Sequence, residues 1–164
     1  MADNEQHWLI LIMRLSGRSG TPRMRIWRAL RGLGAAVLRD GVYLLPASPT
    51  RREALELQVG AIRELGGNAL LIEVDDSAID SVEVLPSLFD RTPDFQALRA
   101  AVADWKQACP QLEERDAQRQ LTQLQRRLQS IVEIDFFPGS ESERAIMALA
   151  EAATVFNCCI GHNL

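Results

Sequence analysis

The stretch Ala35-Ala36-Val37-Leu38-Arg39-Asp40-Gly41-Val42-Tyr43-Leu44-Leu45-Pro46 reads as two short apolar runs, Ala35 to Leu38 and Val42 to Leu45, meeting at an Asp-Gly pair. Asp-Gly is a favoured two-residue hairpin connection, because the twist of such a turn matches that of the strands and glycine accepts a positive φ. Pro46 lacks the amide a ladder needs and closes the second run. Ahead of this hairpin, the loop Ser16-Gly17-Arg18-Ser19-Gly20 leads into Thr21, an N-cap residue, and Pro22, suited to the first helical position. At about 100° per residue Ile26, Trp27, Leu30 and Leu33 share one arc of that helix, while Arg25, Arg28 and Arg31 share the opposite one. Gly34 supplies its C-cap. Earlier still, Trp8 to Leu15 is apolar on both alternating faces, the mark of a strand covered on both sides or central in a sheet.

After the hairpin, Thr50 and Glu53 have capping-box spacing and open a helix whose Leu55, Val59 and Ile62 turn inward until Gly66 and Gly67 stop it. Ala69 to Val74 is a fourth strand. Strand, helix, hairpin, helix, strand is the βαββαβ order of a ferredoxin-like split βαβ unit, in which the first and third strands are central. The expected fold class is therefore α+β, with this unit over residues 1–74 and a helical C-terminal extension. Residues 75–92 read as an acidic connector. Over residues 93–164, expected to pack on the same domain, Phe95, Leu98, Val102, Trp105 and Cys109 recur at spacings of 3 and 4 before Pro110 breaks the pattern. Ala117, Leu121, Leu124, Leu128 and Ile131 repeat it, which predicts a helical hairpin. Pro138-Gly139 precedes a last helix from about Ser140 to Phe156.

With 164 residues and 47% apolar content, the chain supports one sizeable core or a small domain with an extension. Its longest apolar run falls well short of the roughly 20 residues that cross a bilayer. Asp3 and Glu5 before that run do not fit a secretory signal, so a cytoplasmic, non-membrane protein is expected. Three cysteines, two of them adjacent, argue against a disulfide framework. The net charge of −4 hides an asymmetry: residues 1–52 carry nine arginines against three carboxylates, a balance of +6, and the remainder stands at −10. A basic front half of this kind is suited to a polyanion.

The candidate binding residues for nucleic acid or an oxyanion are Arg18, Arg23, Arg25, Arg28, Arg31 and Arg39, with Arg14 near them in sequence. Guanidinium groups pair bidentately with phosphate and similar oxyanions. The alternative is a solvated helix face. Arg23 falls toward the apolar side of its helix, where a carboxylate partner is the expectation. Cys158, Cys159 and His162 match no zinc spacing and read as a frayed tail. Asp75, Asp76 and Asp80, after Glu73, read as a solvated acidic loop rather than a magnesium site. His7 precedes the first strand, and no positioned histidine supplies the base of a hydrolase relay. Gly17 and Gly20 lack the lysine and spacing of a phosphate-binding loop. Trp27 and Trp105 read as core anchors. No catalytic residue, metal ligand or cofactor is assigned, and no enzyme is expected.

The stretch from Arg23-Met24-Arg25-Ile26-Trp27-Arg28-Ala29-Leu30 through Leu33 to Pro46, together with Ile134-Asp135-Phe136-Phe137-Pro138-Gly139, resembles the N-terminal region of the ChrB family of chromate-resistance regulatory proteins, a likeness covering about residues 8–156. The resemblance implies a DNA-binding transcriptional regulator responsive to chromate, working as a homodimer. The usual C-terminal domain of that family has no counterpart among these residues, so effector sensing is assigned to none of them. The first unit is also distantly similar to the central domain of PaaX repressors and to CRISPR-adaptation nucleases. Those nucleases hold metal on an aspartate at the end of the first strand. Here that strand ends Arg14-Leu15-Ser16, so a metal-dependent nuclease or oxyanion-handling enzyme is kept only as the alternative.

Overall fold

The computed structural model describes residues 6–17 and 20–161. Its elements are β1 (His7–Arg14), α1 (Gly20–Gly32), β2 (Ala36–Arg39), β3 (Val42–Pro46), α2 (Pro49–Glu64), β4 (Asn68–Asp75), α3 (Thr92–Ala108), α4 (Glu114–Glu133) and α5 (Ser140–Gly161), with short 3-10 helices at Asp76–Ala78, Val82–Phe89 and Cys109–Gln111. The chain divides into two compact units, residues 1–89 and 90–164.

In the first unit the four strands form one sheet in the order β2-β3-β1-β4, every neighbouring pair antiparallel. This is the split βαβ arrangement, with the first and third strands central as expected. Trp8 and Leu9 are adjacent, so they point to opposite faces of the sheet. Both are buried, which shows that β1 is covered on both sides at this end. The buried residues of the two helices are Ile26 and Leu30 of α1 and Leu55, Val59 and Ile62 of α2. Trp8 is covered by Phe89, whose ring stacks on it at 5.9 Å between centroids and 23° between planes. The stretch read as a connector thus carries two 3-10 helices, and Leu85 and Phe89 bring apolar burial with them.

Two glycines have strict steric reasons. Gly41 takes φ +76°, and a Cβ there would lie 2.5 Å from the Met13 carbonyl oxygen. The close approach exists because the Met13 amide donates to the Gly41 carbonyl at 2.7 Å, tying the hairpin turn to the end of β1. A Cβ on Gly67 would lie 2.7 Å from the Arg14 carbonyl and 2.8 Å from Ile62 Cγ2, so α2 can return to β4 only past a bare backbone.

Three local expectations need correction. The N-cap of α2 is Ser48, whose hydroxyl accepts from the Arg51 amide with Pro49 following it, so Thr50 lies inside the first turn and the Thr50–Glu53 box does not form. Ser-Pro is the stronger start signal, since Pro49 occupies the position where a missing amide costs nothing. Likewise α1 begins at Gly20, leaving Thr21 within the helix and Pro22 still inside the first turn. Trp27 is not a core anchor: it is 36% exposed, with the Arg31 guanidinium 5.1 Å from its ring centroid. The apolar arc of α1 is narrower than its composition implies, and a cation over the indole takes the place of a packing partner.

The second unit is a three-helix assembly whose buried cluster is Phe95, Leu98, Val102, Trp105 and Cys109 with Ala117, Leu121 and Ile131 of α4 and Ala145, Leu149, Ala152 and Phe156 of α5. Both heptad-like stripes face this core, and the Trp105 indole, a true anchor, donates to the Ala117 carbonyl at 3.2 Å. The helix α5 continues to Gly161, so Cys158 and Cys159 sit on helix rather than in a frayed tail, and Cys159 packs on the core. His162 lies outside the described residues.

Candidate nucleic-acid interface

The amphipathic α1 turns Ile26 and Leu30 into the first unit, and this leaves Arg25, Arg28 and Arg31 exposed on its outer side. Successive members are three residues apart, hence neighbours on the helix surface, where like charges destabilise by about 0.2–0.5 kcal/mol a pair. The first turn of α1 holds no acidic residue, and Arg23 and Arg25 stand near the positive end of the helix dipole.

Among the described residues, no carboxylate lies within ion-pair distance of Arg14, Arg23, Arg25, Arg28, Arg31 or Arg39. Elsewhere the arginines divide: Arg52 pairs with Glu73, Arg91 with Asp94, Arg99 and Arg144 with Glu141, and Arg119 with Asp116, whereas Arg63, Arg115, Arg126 and Arg127 have no carboxylate within ion-pair distance among the described residues. Arg23 does not find the carboxylate expected of it. It donates instead to the Leu15 carbonyl at 3.1 Å. Arg18 lies outside the described residues.

Beside α1 the end of β1 and the hairpin turn enclose a cleft of about 640 Å³ lined by Arg14, Ser16, Gly17, Arg23, Asp40 and Tyr43, among others. Burial pushes the Tyr43 hydroxyl above its ordinary range, Asp40 raises it further, and Arg23 opposes both. The phenol therefore stays protonated at neutral pH, a donor beside two guanidinium groups. Such a set of donors around an open cleft is suited to the oxygens of a phosphate ester or a similar anion. The cleft combines residues that sequence reading leaves apart. Asp40 and Tyr43 read locally as turn and strand, and only the pairing of Tyr43 with Leu11 and of Gly41 with Met13 places them against Arg14 and Arg23.

The acidic residues at the end of β4 and just after it are engaged separately. Asp75 accepts from the Ser77 hydroxyl and the Ala78 amide, and Asp76 accepts from the Trp8 indole at 2.6 Å and the Gln6 amide at 3.3 Å. Glu73 lies between Arg52 and His7, which holds it below the usual carboxylate range, Arg52 contributing most. No group of three or more histidine, cysteine or acidic side chains is poised for a metal ion among the described residues. No helix is long and apolar enough to cross a membrane among them.

Comparison with known proteins gives one consistent result. Residues 23–158 match the family described as Protein ChrB, N-terminal. The chain is 30% identical over 141 residues to Protein ChrB of Cupriavidus metallidurans CH34, covering 86% of this chain and 44% of that protein. The chain thus spans less than half the length of this relative. No solved structure matches it.

Proposed function

The chain belongs to the ChrB family, through its N-terminal domain, and from that membership we propose that it is a chromate-resistance regulatory protein that binds DNA through its first unit. It acts in the cytoplasm as a homodimer, with chromate as the effector, and works by binding rather than by catalysis. The observation that carries the reading is the set of exposed arginines on α1 and around the hairpin cleft that lack carboxylate partners among the described residues. Charges left unpaired on one surface are available to phosphates, which supply the main, sequence-independent part of DNA affinity. The nuclease alternative has no support at the corresponding strand end, where Arg14, Leu15 and Ser16 stand in place of a metal-binding carboxylate.

Fluorescence anisotropy tests the reading, with the purified protein titrated onto duplex DNA from its own operon and onto a scrambled duplex, each with and without chromate. Tighter binding to the operon duplex, released by chromate, is expected. Replacing Arg25, Arg28 and Arg31 with alanine removes three phosphate contacts, so the slope of log K against log salt should flatten by about 2.7, from about 0.9 per phosphate neutralised. Unchanged affinity and slope in the triple variant would remove this face as the DNA contact.

A further inference from the structure

All three cysteines of the chain fall in the second unit. Cys109 opens the 3-10 turn that follows α3, where Pro110 stops the helix, and it is only 4% exposed. Cys159 stands near the end of α5, half-buried and packed against the same apolar cluster. The 3-10 turn and α5 touch, and Cys109 and Cys159 pack into one apolar cluster there, near enough that Cys159 influences the Cys109 thiol. Cys158, one position earlier, is rotated about 100° around the helix and is exposed. The structure therefore separates three thiols into a facing pair and an outward neighbour.

We propose that Cys109 and Cys159 form a reversible intramolecular disulfide that fastens the end of α3 to the end of α5 when the protein meets a hydroperoxide. The thiolate of Cys159, the member of the pair that solvent can reach, attacks the distal oxygen of the peroxide. The O–O bond breaks, an alcohol or water leaves, and Cys159 becomes a sulfenic acid. The thiol of Cys109 then attacks that sulfur, the S–S bond forms, and the sulfenic oxygen departs as water with the proton given up by Cys109. Peroxide is the two-electron oxidant, and the two thiols supply the electrons. Burial, reinforced by Cys159 beside it, pushes the Cys109 thiol up, so in the reduced protein it keeps its proton and stays inert until Cys159 is oxidised. The position gives the bond leverage: it would close a loop containing α4 and most of α5, two of the three helices of the unit.

The test uses the full chain, fully reduced, exposed to hydrogen peroxide at a small molar excess, blocked with N-ethylmaleimide and mapped as peptides without reduction. The expected product has lost the mass of two hydrogen atoms, contains the Cys109–Cys159 linked peptide, carries one maleimide at Cys158, and reverts with dithiothreitol. Cys158→Ser should give the same link, and Cys159→Ser should abolish it. Four results would overturn the proposal: a Cys158–Cys159 link, a link between chains, oxidation of Cys159 to the sulfinic acid with Cys109 still open to maleimide after denaturation, or no reaction. The wild-type map decides among them without a variant, so misfolding of Cys109→Ser cannot obscure the answer.

Discussion

Replacing Phe89 with alanine should remove the cover from one side of the central strand. Phe89 is 1% exposed and its ring lies on Trp8, itself 2% exposed and fixed by Asp76. Truncating a buried phenylalanine costs about 3–5 kcal/mol, as transfer free energy plus a cavity that neighbours fill only in part. Within that figure, loss of the stacked pair accounts for about 0.5–1.5 kcal/mol. Phe89→Leu keeps most of the volume and loses mainly the stacking, so it should cost about 1 kcal/mol and leave the unit folded. Urea unfolding followed by tryptophan fluorescence reads the change directly, because Trp8 leaves a dry, stacked environment when the contact breaks. With a slope of about 1–3 kcal/mol per molar, the alanine variant should shift the midpoint by more than about 1 M. A loss below about 1 kcal/mol in Phe89→Ala would refute the view that Val82–Phe89 is an integral layer of the first unit.

Other substitutions separate the remaining claims. Trp27→Ala should change stability by no more than about 1 kcal/mol, the size of an exposed cation–π contact, whereas Trp105→Ala should cost about 3–5 kcal/mol; comparable losses in thermal melts would contradict the placement of Trp27 on the surface. Gly41→Ala and Gly67→Ala should each destabilise by at least about 1–3 kcal/mol, since either Cβ meets a backbone carbonyl, and wild-type melting of both would show the approaches to be relaxed. Burial raises the folded-state affinity of Asp135 for its proton, Arg91 opposing and Asp90 adding to the effect. Its contribution to stability is therefore fully present below the ordinary carboxylate range and lost as pH rises through the raised value. Asp135→Asn should stabilise the second unit at about pH 7 and make little difference at about pH 3, as read by circular dichroism melts, and the opposite ordering would contradict the assigned direction.

The sheet was legible because its signals are local. Asp40-Gly41 marks the hairpin, the apolar run at residues 8–15 marks a central strand, and the helix stops at Gly34 and Gly66 stand where their spacing puts them. Helix starts were less legible: Ser48-Pro49 and Thr50-Glu53 are both valid N-terminal signals two residues apart, and only the backbone around Ser48 selects between them. Trp27 misled because an indole on an apolar arc looks buried whether the groove above it is filled by a side chain or capped by Arg31. The arginine face of α1 followed from periodicity alone. The cleft did not, because Tyr43 and Asp40 acquire their neighbours through pairing with β1, a non-local fact that leaves no local mark. Cys109 and Cys159 were likewise separated by the whole of α4, Cys109 reading as one position of an apolar stripe and Cys159 as part of a frayed tail.

The placement of β1 also bears on how the chain folds. This strand has no partner close to it in sequence: it pairs with β3 from Trp8 to Ile12 and with β4 along its full length, His7 opposite Asp75. Such pairings require large loops to close before any contact rewards them, which makes the first unit the slower folder beside the neighbouring helices. During synthesis Trp8, Leu9 and Leu11 emerge before either partner strand, and β1 gains its second partner only when residue 75 has left the ribosome. The strand at the centre of the finished sheet is therefore the segment that a nascent chain most needs shielded.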